Sequence, residues 1–191
     1  MKKLVIYVIA ILLVVIVTVS GTYAYFVATI SSNSNSVLTN SSKLEVIYTG
    51  DTSIKTENAS EKGYGILNLV NSKEEGYILN PTIKLSNDSV DAEADVYILV
   101  NEIGQNLATE AFNWEVYRTF NNNQTFISSG TFAGAQAEDK IYVDREYRLS
   151  TEETVYNIYI WLDGNKIGNE ALGESFDFDI EFEVMHITEL K

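Results

Sequence analysis

The chain has 191 residues, with 27 acidic against 13 basic, a formal net charge of −14, one histidine and no cysteine. So negative a surface repels phosphate backbones and argues against nucleic acid as a partner. Without a thiol there is no disulfide staple, thiolate metal site, cysteine nucleophile or lipid-modified cysteine, and stability must come from packing.

In chain order, Lys2 and Lys3 precede an unbroken apolar run from Leu4 to Val17, followed by Ser20-Gly21-Thr22-Tyr23-Ala24-Tyr25-Phe26. A basic start, an apolar stretch and a small residue at the scissile position predict an export signal helix over residues 1–24, cut between Ala24 and Tyr25. The alternative is a retained anchor, because Leu4 to Ala24 spans 21 residues, and roughly 20 apolar residues cross a bilayer. The strictly apolar part is shorter, 14 residues, and Thr18, Ser20, Gly21 and Thr22 dilute its outer end. Either way the remainder lies outside the membrane, secreted or at the cell surface, and meets the membrane only through this segment; the two early lysines agree with the positive-inside rule.

Residues 25–42 read as an N-terminal strand and a polar arm. Cleavage would free Tyr25, Phe26, Val27, Ala28, Thr29 and Ile30, of which Phe26, Ala28 and Ile30 share one face when extended. Thr29 to Ser42 holds eleven Ser, Thr or Asn among fourteen residues, too polar to form a core by itself. The freed strand has two readings. It folds back onto its own sheet edge, or it adds to the sheet of the next subunit, and such a head-to-tail contact propagates into a filament unless it closes a ring.

Residues 43–191 are enough for one domain, and their Tyr, Phe, Ile, Val and Thr content without long helical periodicity predicts an all-β fold. Strand patterns run over Leu44 to Thr49, Gly65 to Val70, Thr82 to Ser86, Ala94 to Ile103, Trp114 to Phe120, Thr125 to Phe132, Lys140 to Val143, Thr154 to Asp163 and Ser175 to Ile187. A short helix is expected around Leu107 to Phe112, and a helical turn or loop over Ala133 to Asp139. In the last strand Phe176, Phe178, Ile180, Phe182 and Val184 alternate with Asp177, Asp179, Glu181 and Glu183, so one face must cover a core and the other meet water. Thr154 to Asp163 is apolar on nearly both faces, with Tyr156, Ile158, Ile160 and Leu162 on one and Val155, Tyr159 and Trp161 on the other. A central strand is preferred to a second face covered by an insertion or a neighbouring subunit. Turn signals at Thr49-Gly50-Asp51, Asn71-Ser72, Asn121-Asn122-Asn123 and Asp163-Gly164-Asn165 punctuate antiparallel meanders. A single antiparallel β-sandwich of jelly-roll type follows.

Gly21-Thr22-Tyr23-Ala24-Tyr25-Phe26 followed by Leu44-Glu45-Val46 resembles the start of the TasA/camelysin family of Gram-positive matrix-fibre proteins. The run from Leu79 to Ala92 is similar to that family's strand, Asn-rich turn and return strand. Tyr159 to Asn165, then Gly173-Glu174-Ser175-Phe176, resembles the closing segment of related exported proteins; Asn101 to Lys140 is unmatched. The resemblance implies a jelly-roll domain, export to the surface or to an extracellular biofilm matrix, and subunits that self-associate into filaments through Tyr25 to Ile30, with other matrix proteins as further partners.

Part of that family bears a metallopeptidase name, but the residues speak against catalysis. The only histidine is His186, with no His-Glu-x-x-His for zinc and no Gly-x-Ser-x-Gly elbow for serine chemistry. No cofactor is expected. A calcium reading attaches to Asp163 and Asn165, with Glu174 at the twelfth position of an EF-hand-like spacing, but Ile167 spoils the fifth position and an Asp-Gly-Asn turn between strands is the better reading. The leading expectation is a secreted structural fibre subunit joined by its N-terminal strand. The alternative is a monomeric surface module displaying aromatics, such as Trp114, Tyr117, Tyr142 and Tyr147, to carbohydrate or protein, although aromatics at strand spacing are more often core.

Overall fold

The acidic-and-aromatic strand near the C-terminus organises the molecule. In this computed structural model, Phe176, Phe178, Ile180, Phe182 and Val184 have no solvent exposure, while Asp177, Asp179 and Glu183 on the opposite face stay half-buried. The structure describes residues 27–30, 36–38, 45–56, 69–70, 73–87, 89–171 and 173–187. The expected signal segment, its expected Ala24/Tyr25 junction and Phe26 lie outside the described residues. Among the described residues no helix is long and apolar enough to cross a membrane.

The strands are β1 (Val27–Ile30), β2 (Ser36–Leu38), β3 (Glu45–Thr49), β4 (Ser53–Thr56), β5 (Leu69–Val70), β6 (Tyr77–Leu79) and β7 (Thr82–Leu85), then β8 (Ala92–Ile103), β9 (Phe112–Phe120), β10 (Asn123–Thr131), β11 (Lys140–Arg148), β12 (Thr154–Asp163) and β13 (Phe176–His186). One sheet is ordered β1-β13-β8-β11. There β8 follows one edge of β13 throughout, and β4 and β1 share its other edge at Phe176–Asp179 and Phe182–Met185. The second sheet is ordered β10-β9-β12-β7-β3-β2. In it β9 follows one edge of β12, and β7, β6 and β5 divide the other, β5 in parallel. After β7 the long strands switch sheets at β8 to β9, β10 to β11, β11 to β12 and β12 to β13.

The two sheets close on one another as a β-sandwich. Phe112 of β9 meets Phe176 of β13 edge-on with ring centres 5.3 Å apart, Tyr156 of β12 meets Phe182 at 5.7 Å, and Phe132 stacks on Phe178 at 4.4 Å and 15°. Each large side chain so buried contributes about 1.5–3 kcal/mol of transfer free energy. Val96, Ile98, Val100, Val116, Ile158 and Ile160 fill the space between, all fully buried.

The β9–β10 hairpin closes through Asn121 and Asn122, at φ 50° and 62°, the left-handed pair that a two-residue turn matching strand twist requires and that Asn tolerates. Leu107 to Phe112 departs from expectation. It is not a helix but turns and bends up to Ala111, with Phe112 already in β9 and with Leu107 and Ala108 both donating to the Gly104 carbonyl, because the chain must cross from one sheet to the other here. Ala133 to Asp139 is likewise a loop. Ser36–Leu38 lies within the polar arm yet pairs with β3, and Ser53–Thr56 and Tyr77–Leu79 are strands too short for a sequence period to show.

Candidate binding face

Register decides what the outer face of the second sheet displays. In β9, Phe112, Trp114 and Val116 point inward and are buried, so Asn113, Glu115, Tyr117 and Thr119 point outward. The antiparallel ladder sets Tyr117 opposite Asn157 and Phe126, Glu115 opposite Tyr159, and Asn113 opposite Trp161. Ile78 of β6 continues the row beyond Tyr159. The result is a sheet surface on which Phe126, Tyr117, Tyr159 and Trp161 alternate with amides, hydroxyls and a carboxylate. Phe126 is 52% exposed and Ile78 43%. Tyr117 packs edge-on against Phe126 at 5.6 Å and against Tyr159 at 5.9 Å, so each ring braces the next.

Lys73 reaches this face from a single 3-10 turn, Lys73–Glu75, which lies against β12. The turn sits close because residue 76 is glycine; a Cβ there would come within 2.6 Å of Trp161 Cβ and of the Ile160 carbonyl oxygen. The Lys73 ammonium donates to the Glu115 carboxylate and, at 2.7 Å, to the Tyr117 hydroxyl, which itself donates to Glu115. It also lies 4.4 Å from the centre of the Tyr117 ring and 5.2 Å from that of Tyr159. The Glu115 hydrogen bond is the main cause that holds the Lys73 ammonium above its ordinary pKa. Burial pushes the Glu115 carboxyl up, but the bonds from Lys73 and Tyr117 outweigh it and hold the group below the carboxylate range. Asn157 donates to Thr119 Oγ1 at 3.4 Å, and Asn113 to the Ala111 carbonyl at 2.6 Å.

The structure separates the aromatics singled out from sequence. Tyr117 is on this face. Trp114 is core, 6% exposed, its indole against Gly130. Tyr147 packs on the core with its hydroxyl 3.0 Å from Thr154 Oγ1. Tyr142 lies on the outer face of the other sheet, over Tyr97 and beneath the Arg145 guanidinium at 3.8 Å. The sequence places Tyr159 and Trp161 on an apolar second face of a strand expected to be central. β12 is central, and that face is half-open, covered in part by the Lys73 turn. Phe126 carried no sequence signal beyond its place in a strand.

The calcium candidates are not brought together as ligands. Asp163 Oδ1 accepts from the Asn165 backbone N–H at 2.9 Å and its amide at 3.1 Å, which makes the expected turn. Glu174 Oε1 accepts from Asn106 at 2.7 Å. Among the described residues no three His, Asp or Glu side chains gather as a metal site. His186 is half-buried at the end of β13, opposite Ala92. Of the N-terminal strand, Val27–Ile30 pairs with Phe182–Met185 of its own chain.

No protein-family model and no curated protein sequence matches the chain. Among solved structures it is similar to a xylan-binding module, CBM15, with TM-score 0.35 and 9% identity over 85% of this chain and 99% of that one. It is also similar to a xylanase 10C variant from Cellvibrio japonicus in complex with xylopentaose, with TM-score 0.33 and 8% identity, covering 75% of this chain and 29% of that one.

Proposed function

We propose that the chain is an exported, surface-displayed binding module whose second sheet takes carbohydrate on its outer face. The observation that carries the reading is the row Phe126, Tyr117 and Tyr159, flanked by Asn113, Asn157, Glu115 and Thr119. A sugar ring has apolar C–H faces that stack on aromatic rings and an equator of hydroxyls that need donors and acceptors, and this face supplies both on a rigid ladder. The net charge of −14 favours a neutral glycan over a uronic or sulfated one. The strand order β4-β13-β8-β11 against β7-β12-β9-β10 supports jelly-roll winding of the scaffold. No catalytic step enters this reading.

The test is retention of the full chain, in mild detergent, on insoluble cellulose, xylan, chitin and mannan. At least one polymer retains the protein, and Tyr117→Ala with Tyr159→Ala releases it with about tenfold weaker affinity, the scale of losing one or two well-packed aromatic anchors. Failure of every polymer to retain the wild type overturns the reading.

A second reading keeps the fibre subunit, because β1 holds the outer edge of β13 through a short antiparallel ladder beside β4. The same edge would accept this strand from another copy. Deleting residues 25–42 abolishes filaments seen by electron microscopy if that exchange occurs, whereas glycan binding survives the deletion if the outer face alone is the site.

A further inference from the structure

A cleft at one end of the sandwich adjoins the outer face through Ala111. β9 and β12 are antiparallel, so the start of one and the end of the other lie together, with the Asp163 N–H donating to the Ala111 carbonyl at 2.8 Å. Asn113, the last outward residue of its row, donates to that same carbonyl. Ala111 then forms a wall of a cleft of about 670 Å³, whose other walls include Asn106, Glu110, Lys166, Ile167 and Glu170.

Local bonds hold the walls. Leu107 and Ala108 donate to the Gly104 carbonyl, Leu107 is buried, and Gly134 donates to the Ala108 carbonyl at 3.0 Å. Asn106 is tied to Glu174, and the Lys166 ammonium donates to the Glu110 carbonyl at 3.3 Å. The Glu170 carboxylate accepts from the Gly168 N–H at 2.8 Å. The cleft therefore offers an ammonium donor, carboxylate acceptors, amides that do both, and one apolar wall at Ile167. That mixture suits the several hydroxyls of a single sugar ring, each of which donates and accepts.

We propose that this cleft is the chain-end subsite of the carbohydrate face. The internal rings of a linear, non-anionic glycan lie along Tyr117, Tyr159 and Trp161, and the terminal ring enters the cleft between Glu110, Lys166 and Glu170. The inference rests on the carbohydrate reading of the face. From Tyr117 to Ala111 is six residues, so strand rise sets a track of roughly 20 Å, long enough for a short oligosaccharide. Both loops that cross between the sheets here, after β8 and after β12, line the cleft, so a glycan on this track would meet them and be bound by its end.

The test is calorimetry on the full chain in mild detergent with cellohexaose, xylohexaose, chitohexaose and mannohexaose, each also carrying a biotin label at one end or the other. For the hexasaccharide that binds, Lys166→Ala and Glu170→Gln each weaken binding about tenfold, as loss of a charged hydrogen bond does. One end label weakens wild-type binding similarly and ceases to matter in Lys166→Ala, while the opposite label is tolerated throughout.

If both labels are tolerated, or both cleft variants bind as wild type while Tyr117→Ala with Tyr159→Ala does not, the cleft is overturned and the face stands. If the face variants bind as wild type while the cleft variants do not, the face is overturned. Phe126→Ala, at an exposed position, replaces the double variant should the latter not fold.

Discussion

The Lys73 ammonium lies 4.4 Å from the centre of the Tyr117 ring while donating at 2.7 Å to the hydroxyl of the same residue. A flexible side chain from a 3-10 turn thus spans β12 and ends on β9, where Glu115 completes the triangle. The triangle orients two of the rings on the outer face of the second sheet, and replacing Lys73 exposes what it contributes. Lys73→Met removes a half-buried ion pair and a cation–π contact and costs about 1 kcal/mol in urea denaturation. The Glu115 carboxyl, deprived of its ammonium donor, titrates at higher pH, which NMR measures directly.

The same pair has a defined pH signature. Glu115 is held below its ordinary value of 4.5, so its contribution is present above that value and is lost as pH falls through the lowered folded value. Lys73 is held above its ordinary value of 10.5, so its contribution is present below that value and is lost as pH rises through the raised one. The stability difference between wild type and Lys73→Met is therefore flat through neutral pH and shrinks in acid, where Glu115 is protonated, and above pH 10.5, where Lys73 loses its proton. A difference that changes between pH 6 and 8 contradicts this assignment.

Gly130 is opposite Trp114 in the β9–β10 ladder, and a Cβ added there would come within 2.6 Å of the indole Cζ2. Trp114 is 6% exposed and cannot swing outward. Gly130→Ala destabilises by about 2 kcal/mol through overpacking, read as an earlier urea midpoint with an altered tryptophan emission. An unchanged midpoint would show that the indole has room the packing denies.

At the far end of β9, Arg118 Nη1 donates to Asp144 at 2.6 Å, and the buried Tyr156 hydroxyl donates to the same carboxylate oxygen at 2.8 Å. The guanidinium also lies over the Tyr147 ring at 3.8 Å. Asp144→Asn leaves a partly buried cation facing a neutral amide and costs about 2 kcal/mol, below the range for fully buried pairs because solvent reaches Arg118. Burial is the main cause that raises the Tyr156 hydroxyl, and the Asp144 charge adds to it. The variant therefore lowers the Tyr156 pKa, and ultraviolet titration of the tyrosines detects the change.

The amino-acid sequence by itself determined the strand content and the inward face of its clearest strands. The alternation from Phe176 to Val184 is a period-two property of an extended backbone, legible without any neighbour, and it landed in the core as read. The Asn121-Asn122 and Asp163-Asn165 turns were legible for the same local reason, since their backbones are set by the residues themselves. The helix expected at Leu107 to Phe112 failed because local propensity yields to the path the chain must take between two sheets.

Only the tertiary structure decided which aromatics are a surface. Trp114 and Tyr117 sit on one strand with opposite parity, and either parity fits a sandwich until the second sheet closes over Trp114. The rows that join Phe126, Tyr117 and Tyr159 depend on pairing register between β10, β9 and β12, and Lys73 arrives on them from 42 positions away from Glu115. The cleft likewise exists because Glu110 and Lys166, 56 positions apart, lie in the turns that flank the adjoining ends of β9 and β12. Strand periodicity is a local consequence of backbone geometry, whereas a binding face is assembled by long-range pairing, whose loop-closure cost is met only when the whole core forms.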